Sequence, residues 1–520
     1  MAVRARDPGT ARARVRFAPS LARTNIVIFL KSSRLLPALL LAVLEPIAAP
    51  NDGVVLRTEV LKTYPSLLYV DRYRRSFPRE VQGTKPFWSS GTSALTISKT
   101  GDLVAALAEL EDQHAAIVGA RAGRPETLGL LFRTSADGNM IVWRVFDSIP
   151  NGIAVGDEVL AIDGVPTQNW LRRTATTTFG GNRRGRYAEA ATELGLGTPI
   201  VHRTARLGNV VRLRVQPSGG VPRTVTVSYR PMSAQRASAL TIAIDRPDLP
   251  VVIHSSGYRI GTLRIGSFAP QYNPIFVAAS ERASHKPGAT DDEAMLAGYC
   301  AVTASLIKHF ETIALRSDAV VIDLRGNLGG FDREARLEVN AIAASPSART
   351  FDLFATGKRG TVRLAEEQVD PSCGHVSVHR PIVVLDDAAT RSSGELMAAW
   401  LWTSRATIVG ERTVGAGGGF ESDAAGFPLP QLRFRVRTSG NFTIFDPTLQ
   451  LNEGDWPEHN LVAKIATDGF SPSRNGPFAI QCVGVRPDMP MLTTLADLRD
   501  GGIAEIKLAI SKLRRQRQLK

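Results

Sequence analysis

The chain has 520 residues, 43% of them apolar and 22% charged. That makeup excludes a disordered, collagen-like or low-complexity protein, and the length allows about three domains with sizeable cores. The formal charge of +14 sits at the ends, with +7 over residues 1–34 and +5 over 511–520, so the body between them is close to neutral and no nucleic-acid partner is expected.

In chain order, basic residues up to Arg34 precede "LLPALLLAVL" (35–44) and "EPIAAPND", with the small residues Ala48 and Ala49 at the exit. A positive segment, a short apolar run and a small-residue exit describe a signal peptide over 1–49. Ten apolar residues fall short of the roughly 20 that a membrane span needs. The expectation is an exported protein, periplasmic or secreted, with no integral membrane span after signal cleavage; a signal anchor or a buried helix is the other reading. The long basic segment also fits a translation start downstream of Met1. Cys300, Cys373 and Cys482 follow no metal-ligand spacing and allow at most one disulfide, so neither metal nor cofactor is expected.

Residues 50–123 read as an N-terminal helical region. Within it "GDLVAALAELEDQHAAIV" (101–118) places Leu103, Leu107, Leu110 and His114 along one helical stripe. From 124 to 230 the pattern is mainly β: strands and turns through "GDEVLAIDGVP" (156–166), then period-2 strands in "NVVRLRVQPSG" and "RTVTVSYRP". The stretch "TTTFGGNRRGRY", near 177–187, is basic and glycine-containing and reads as a mobile gate. Residues 231–510 alternate strands with helices. "YRIGTLRIGSF", "AVVIDLRG" (319–326), "RPIVVLDD" and "ATIVGER" are the strands; 293–316 and about 393–404 are helices. Such alternation predicts an α/β core around a mostly parallel sheet, followed by a basic tail over 511–520.

Ligands gather at the C-terminal ends of strands in such sheets. Two turns lie there: "DLRGNLGG" (323–330), ending in Gly329-Gly330, and "RSSGELMAAWLW" (391–402), with Ser392 and Ser393 before a helix. A helix N-terminus and a glycine turn both offer backbone N–H groups to an oxyanion. Taken singly, each is equally a plain helix cap and a plain tight turn, and the serine pair lacks a G-x-S-x-G elbow.

Together with "IVGERTVGAGG" (408–418) and the upstream strand "IGTLRIGSF", these segments resemble the C-terminal-processing, or tail-specific, serine peptidase family. "GDEVLAIDGVP" resembles the end of the PDZ domain that such enzymes often carry. The resemblance covers roughly 100–490 and implies a crotonase/ClpP-like core with an inserted PDZ-like domain. It also implies protein or peptide substrates, taken via their C-termini if the "TLGLLF" stretch (127–132) captures a terminal carboxylate. By the family pattern the nucleophile is Ser392, three residues before Glu395. The oxyanion donors are then the N–H of Ser393 and one from Gly329-Gly330. Many members use a lysine base where this chain has Ala416. The histidine-using branch, typified by the protease-like activity factor, takes its base from an early segment that here gives His114. That branch orients its histidine with a glutamate, and Gln481 in "FAIQCVGVRPD" stands at its place, with Asp488 and Glu411 as other acids that could serve. Two functions follow: a serine endopeptidase acting through an acyl-enzyme, or a catalytically degenerate peptide- or ligand-binding protein on the same fold.

Overall fold

Three stretches rich in β-branched residues become neighbouring parallel strands, Tyr258–Arg264, Ala319–Asp323 and Ile382–Asp386. The computed structural model describes residues 51–65, 97–119, 122–148, 152–246, 248, 251–255, 257–345, 347–355, 362–367, 371–419, 426–447, 449 and 476–515. The expected signal peptide lies outside these residues. The three strands form the middle of a six-strand sheet, flanked by Val252–Ser255 on one side and by Thr407–Gly410 and Met489–Pro490 on the other. Only Val252–Ser255 runs antiparallel to its neighbour. Every residue of Ala319–Asp323 is buried, as a parallel sheet covered on both faces requires. One face packs Val320, Ile322 and Val384 against Phe310, Val339 and Trp400 of three helices, Asp291–Ala314, Asp332–Ile342 and Ser393–Thr403. The other packs Val321, Leu385 and Val409 against Ile506 and Ile510 of Ile503–Arg515. This is the α/β core that the alternation predicts. A second, antiparallel sheet of Gly418–Gly419, Asn441–Asp446, Arg349–Ala355 and Val362–Glu366 lies outside that expectation.

The stripe over 101–118 does not run as one helix. The helix is Thr100–Ala108, Glu111 turns to φ +56°, and Ala116–Val118 is a strand. The cause lies in the residues between. Asp112 is fully buried, and a buried carboxylate needs donors. It accepts from the N–H of His114 (3.0 Å), the N–H of Ser439 (2.7 Å) and Ser439 Oγ (2.7 Å), a set no continuous helix could present. Ala116–Val118 then pairs antiparallel with Phe434–Arg437. His114 is thereby carried on a turn and docked against sequence more than 300 residues away.

Between 126 and 231, five antiparallel strands run in the order Leu130–Thr134, Met140–Val145, Glu158–Ile162, Val210–Gln216, Arg223–Ser228. They enclose their own core around Leu130, Val142, Trp170 and Leu213. Three helices absent from the mainly-β reading belong to this unit: Thr167–Thr174, Arg183–Gly195 and Pro199–Thr204. The stretch expected to be a mobile gate is pinned. Asn182 caps Arg183–Gly195 through Gly185 N–H (2.9 Å), while its Nδ2 donates to Val414 O (3.0 Å). Arg184 also pairs with Glu411 at 2.8 Å. The N–H groups of "TLGLLF" are likewise committed: Leu128 donates to Gly195 O (3.0 Å) and Gly129 to Thr127 Oγ1 (2.9 Å). A terminal carboxylate finds no spare donors at those two residues.

Cys300 and Cys373 form a disulfide, and Cys482 is a buried thiol outside it. The bridge spans a sequence separation of 73 residues, worth about 4 kcal/mol in a chain-entropy picture. Among the described residues no helix is long and apolar enough to cross a membrane.

Candidate active site

Ser392 lies beyond the C-terminal end of Ile382–Asp386, and the chain between them is held from several sides. Asp387 accepts the N–H groups of Gly326 (2.8 Å), Ala389 (3.1 Å) and Thr390 (3.0 Å), and pairs with Arg133 Nη2 at 2.8 Å. Ser392 itself sits at φ 52°, ψ −129°. A non-glycine residue pays about 1–3 kcal/mol for such a conformation, which persists only where the surroundings impose it. Here Glu395 imposes it. Its fully buried carboxylate receives Ser392 N–H (3.1 Å), Gly415 N–H (2.7 Å), Ala416 N–H (2.6 Å) and the Thr413 hydroxyl. Burial pushes this carboxyl up to about 7 against the pull of those four donors. The sequence lacks the usual elbow motif, but the strained strand-to-helix turn is present.

The Glu395 N–H donates to the Ser392 carbonyl oxygen at 2.8 Å, which leaves the Ser392 hydroxyl for the histidine. That hydroxyl lies 3.1 Å from His114 Nε2, within hydrogen-bond reach. Beside it comes the glycine turn, reached from the adjacent strand Ala319–Asp323. A Cβ on Gly329 would stand 2.6 Å from Ser392 Cβ, and one on Gly330 would stand 1.8 Å from Phe268 O. Their φ values of +74° and +142° exclude ordinary side chains as well. The Gly329 N–H already donates to Asn327 Oδ1 at 2.7 Å, so of the two glycines expected to serve an oxyanion it is the one whose donor is engaged. The Ser393 side chain braces the same turn, its hydroxyl 2.9 Å from Gly330 O and within hydrogen-bond reach of the half-buried Asp332 carboxyl.

His114 is half-buried, and desolvation holds its pKa below the ordinary value of 6.5. Asp112 pulls it back up, while Arg437 and Arg391 push it further down. The imidazole is therefore neutral at neutral pH, the form that accepts a proton. The acid limb of kcat/KM is expected below 6.5: lowering pH removes activity only as it passes through the depressed pKa. A pH–rate profile with that limb above 6.5 would contradict this assignment.

The remaining predicted contacts are not made. Gln481 is fully buried, but its Nε2 donates to the Tyr64 hydroxyl at 3.5 Å and its Oε1 has no hydrogen-bond partner among the described residues. It does not orient the His114 ring. Asp488 serves Trp402 Nε1 (3.2 Å) and Ile408 N–H (2.9 Å), and Glu411 serves Arg184 and Thr493 N–H (2.9 Å). Among the described residues, the carboxylate that raises the His114 pKa is Asp112. The D-x-H spacing was its only signal in the sequence, and the helical reading of 101–118 hid it.

Residues 259–426 match the model of peptidase family S41. The matched segment, about a third of the chain, contains both the glycine turn and Ser392. The chain's catalytic class is that of a serine-type peptidase. Solved structures with a similar fold include mature CPAF complexed with lactacystin, at TM-score 0.55 and 17% identity, covering 89% of this chain and 97% of that one. Mature CPAF gives TM-score 0.55 and 18% identity, covering 89% and 96%. Among proteins of curated function, none matches this chain in sequence.

Proposed function

We propose that this protein is an endopeptidase in which Ser392 is the nucleophile and His114 the general base. The observation that carries the reading is the 3.1 Å separation of His114 Nε2 and Ser392 Oγ, two atoms 278 positions apart in sequence. As Oγ attacks the substrate carbonyl carbon, Nε2 takes the hydroxyl proton. The carbonyl oxygen becomes an oxyanion that accepts from the N–H of Gly330 and of Ser393, the latter at the positive end of a buried helix. Asp112 balances the imidazolium. Collapse of the intermediate passes the proton to the leaving amine and leaves an acyl-enzyme. A water deprotonated by His114 then releases the acyl product and restores the serine.

The degenerate binding-protein reading rested on Gln481 in place of a carboxylate. Asp112 supplies the missing charge, so the peptidase reading is the better supported. The Cys300–Cys373 disulfide supports export to an oxidising compartment. Substrates are read here as extended internal segments rather than chain ends, because the N–H groups of Leu128 and Gly129 are already committed. The test is hydrolysis of one internally quenched peptide made with a free and with an amidated C-terminus. Equal rates are expected for the two forms, with none in His114→Ala. Turnover surviving in His114→Ala contradicts the base assignment, and strong preference for the free acid contradicts the internal-segment reading.

A further inference from the structure

Next to the catalytic pair lies a cavity of about 220 Å³ between the His114 segment and the helices Arg183–Gly195 and Pro199–Thr204. Gln113 and Ala115, the two sequence neighbours of His114, line it. So does Glu189, whose Oε1 lies 2.5 Å from Nη1 of Arg391, the residue before Ser392. The cavity thus borders both sequence neighbours of His114 and, through Glu189, the residue before Ser392. The reaction steps above make no use of it.

Its walls are of two kinds. Ile117, Phe179, Ile200 and Val201 are apolar, whereas Glu193, Thr174 and Thr198 bring polar groups to the lining. The hydroxyls of Thr174 and Thr198 are buried without a hydrogen-bond partner among the described residues. A buried hydroxyl left unmade is costly, and two lining one cavity call for a polar guest. None of the lining residues is Lys, Arg or His. Glu189 is ion-paired with Arg391, whereas the Glu193 carboxyl accepts the Thr178 hydroxyl at 3.2 Å and has no ion pair among the described residues.

We propose that this cavity is a specificity pocket for a lysine or arginine side chain of the substrate, with Glu193 as its counter-charge. The inference rests on the peptidase reading above. The methylene stem of such a side chain suits the apolar wall, and its charged head suits a carboxylate with two free hydroxyls beside it. Burial first, and then the neighbouring Glu189, push the Glu193 carboxyl up to about 8. Without a cation beside it, Glu193 keeps its proton at neutral pH. An arriving ammonium or guanidinium favours the ionised form, and the proton leaves to solvent.

The test uses the full chain and two peptides identical except for lysine or norleucine at the position preferred in a positional-scanning library. For the parent protein, kcat/KM is expected to favour lysine by more than about tenfold, a ratio that falls close to one in Glu193→Gln. Thr198→Val, a near-isosteric change, should reduce it by about threefold. The same pair is compared by equilibrium binding to Ser392→Ala protein, which does not depend on turnover. Tighter binding of the lysine peptide, lost in the Ser392→Ala, Glu193→Gln double variant, supports the pocket even if the peptidase reading fails. Equal affinities, or a lysine preference untouched by Glu193→Gln, overturn the proposal. A norleucine preference assigns the cavity to apolar side chains instead.

Discussion

Ser392→Ala is expected to lower kcat by at least about 10⁴-fold, because removing the nucleophile of such a site leaves only substrate binding and oxyanion stabilisation. Stability should change little. The first-turn N–H of Glu395 is satisfied by the Ser392 carbonyl, so the usual loss of about 1 kcal/mol for a deleted cap does not apply. Ser393→Ala is the informative neighbour. Its hydroxyl ties Gly330 O and Asp332, so its loss should slacken the oxyanion turn. About 1 kcal/mol of lost hydrogen bonding corresponds to a roughly fivefold to tenfold drop in kcat. Steady-state kinetics on the two variants separates the roles. If Ser393→Ala is the dead variant and Ser392→Ala the mild one, the serine assignment is off by one residue.

Asp112→Asn is expected to lower kcat by about 10²-fold, with KM little changed. A charge pair in a partly shielded site is worth of order 3 kcal/mol, and the imidazolium forms only on the way to the transition state. The acid limb should also move further down, since the carboxylate is the influence that raises the His114 pKa. A purely structural role for Asp112 would lower activity without moving that limb. In contrast, Gln481→Glu should leave kcat/KM flat or reduce it. The new carboxyl would be buried beside Tyr64, whose hydroxyl is already pushed up by burial, by Cys482 and by Asp112. A tenfold rise in Gln481→Glu would reinstate residue 481 as the partner of His114.

The parallel core was legible because its strands are local and continuous: AVVID and IVVLD carry the β-branched residues of doubly covered strands. Ser392, Ser393 and the glycine turn follow those strands directly, so their meeting place could be read from strand order. His114 was legible by resemblance, but not its setting. A 3.6-residue stripe extends through Leu110, and nothing within 101–118 shows that Asp112 would find its donors at Ser439. The same holds for 177–187, where glycine and arginine signalled mobility while Asn182 and Arg184 had partners at Val414 and Glu411. Long-range polar contacts decided each case that periodicity misjudged. The Gln481 expectation failed for a related reason: register along one segment cannot tell which way a buried amide faces.

The central claim is that His114 activates Ser392. The most direct measurement is labelling of the intact protein with a fluorophosphonate probe, which reacts only with an activated serine, followed by mass-spectrometric location of the adduct. The account predicts a single adduct on Ser392 in the parent protein and in Gln481→Glu, slowed in Asp112→Asn and absent in His114→Ala. An unlabelled parent, an adduct on Ser393, or undiminished labelling of Ser392 in His114→Ala would contradict it.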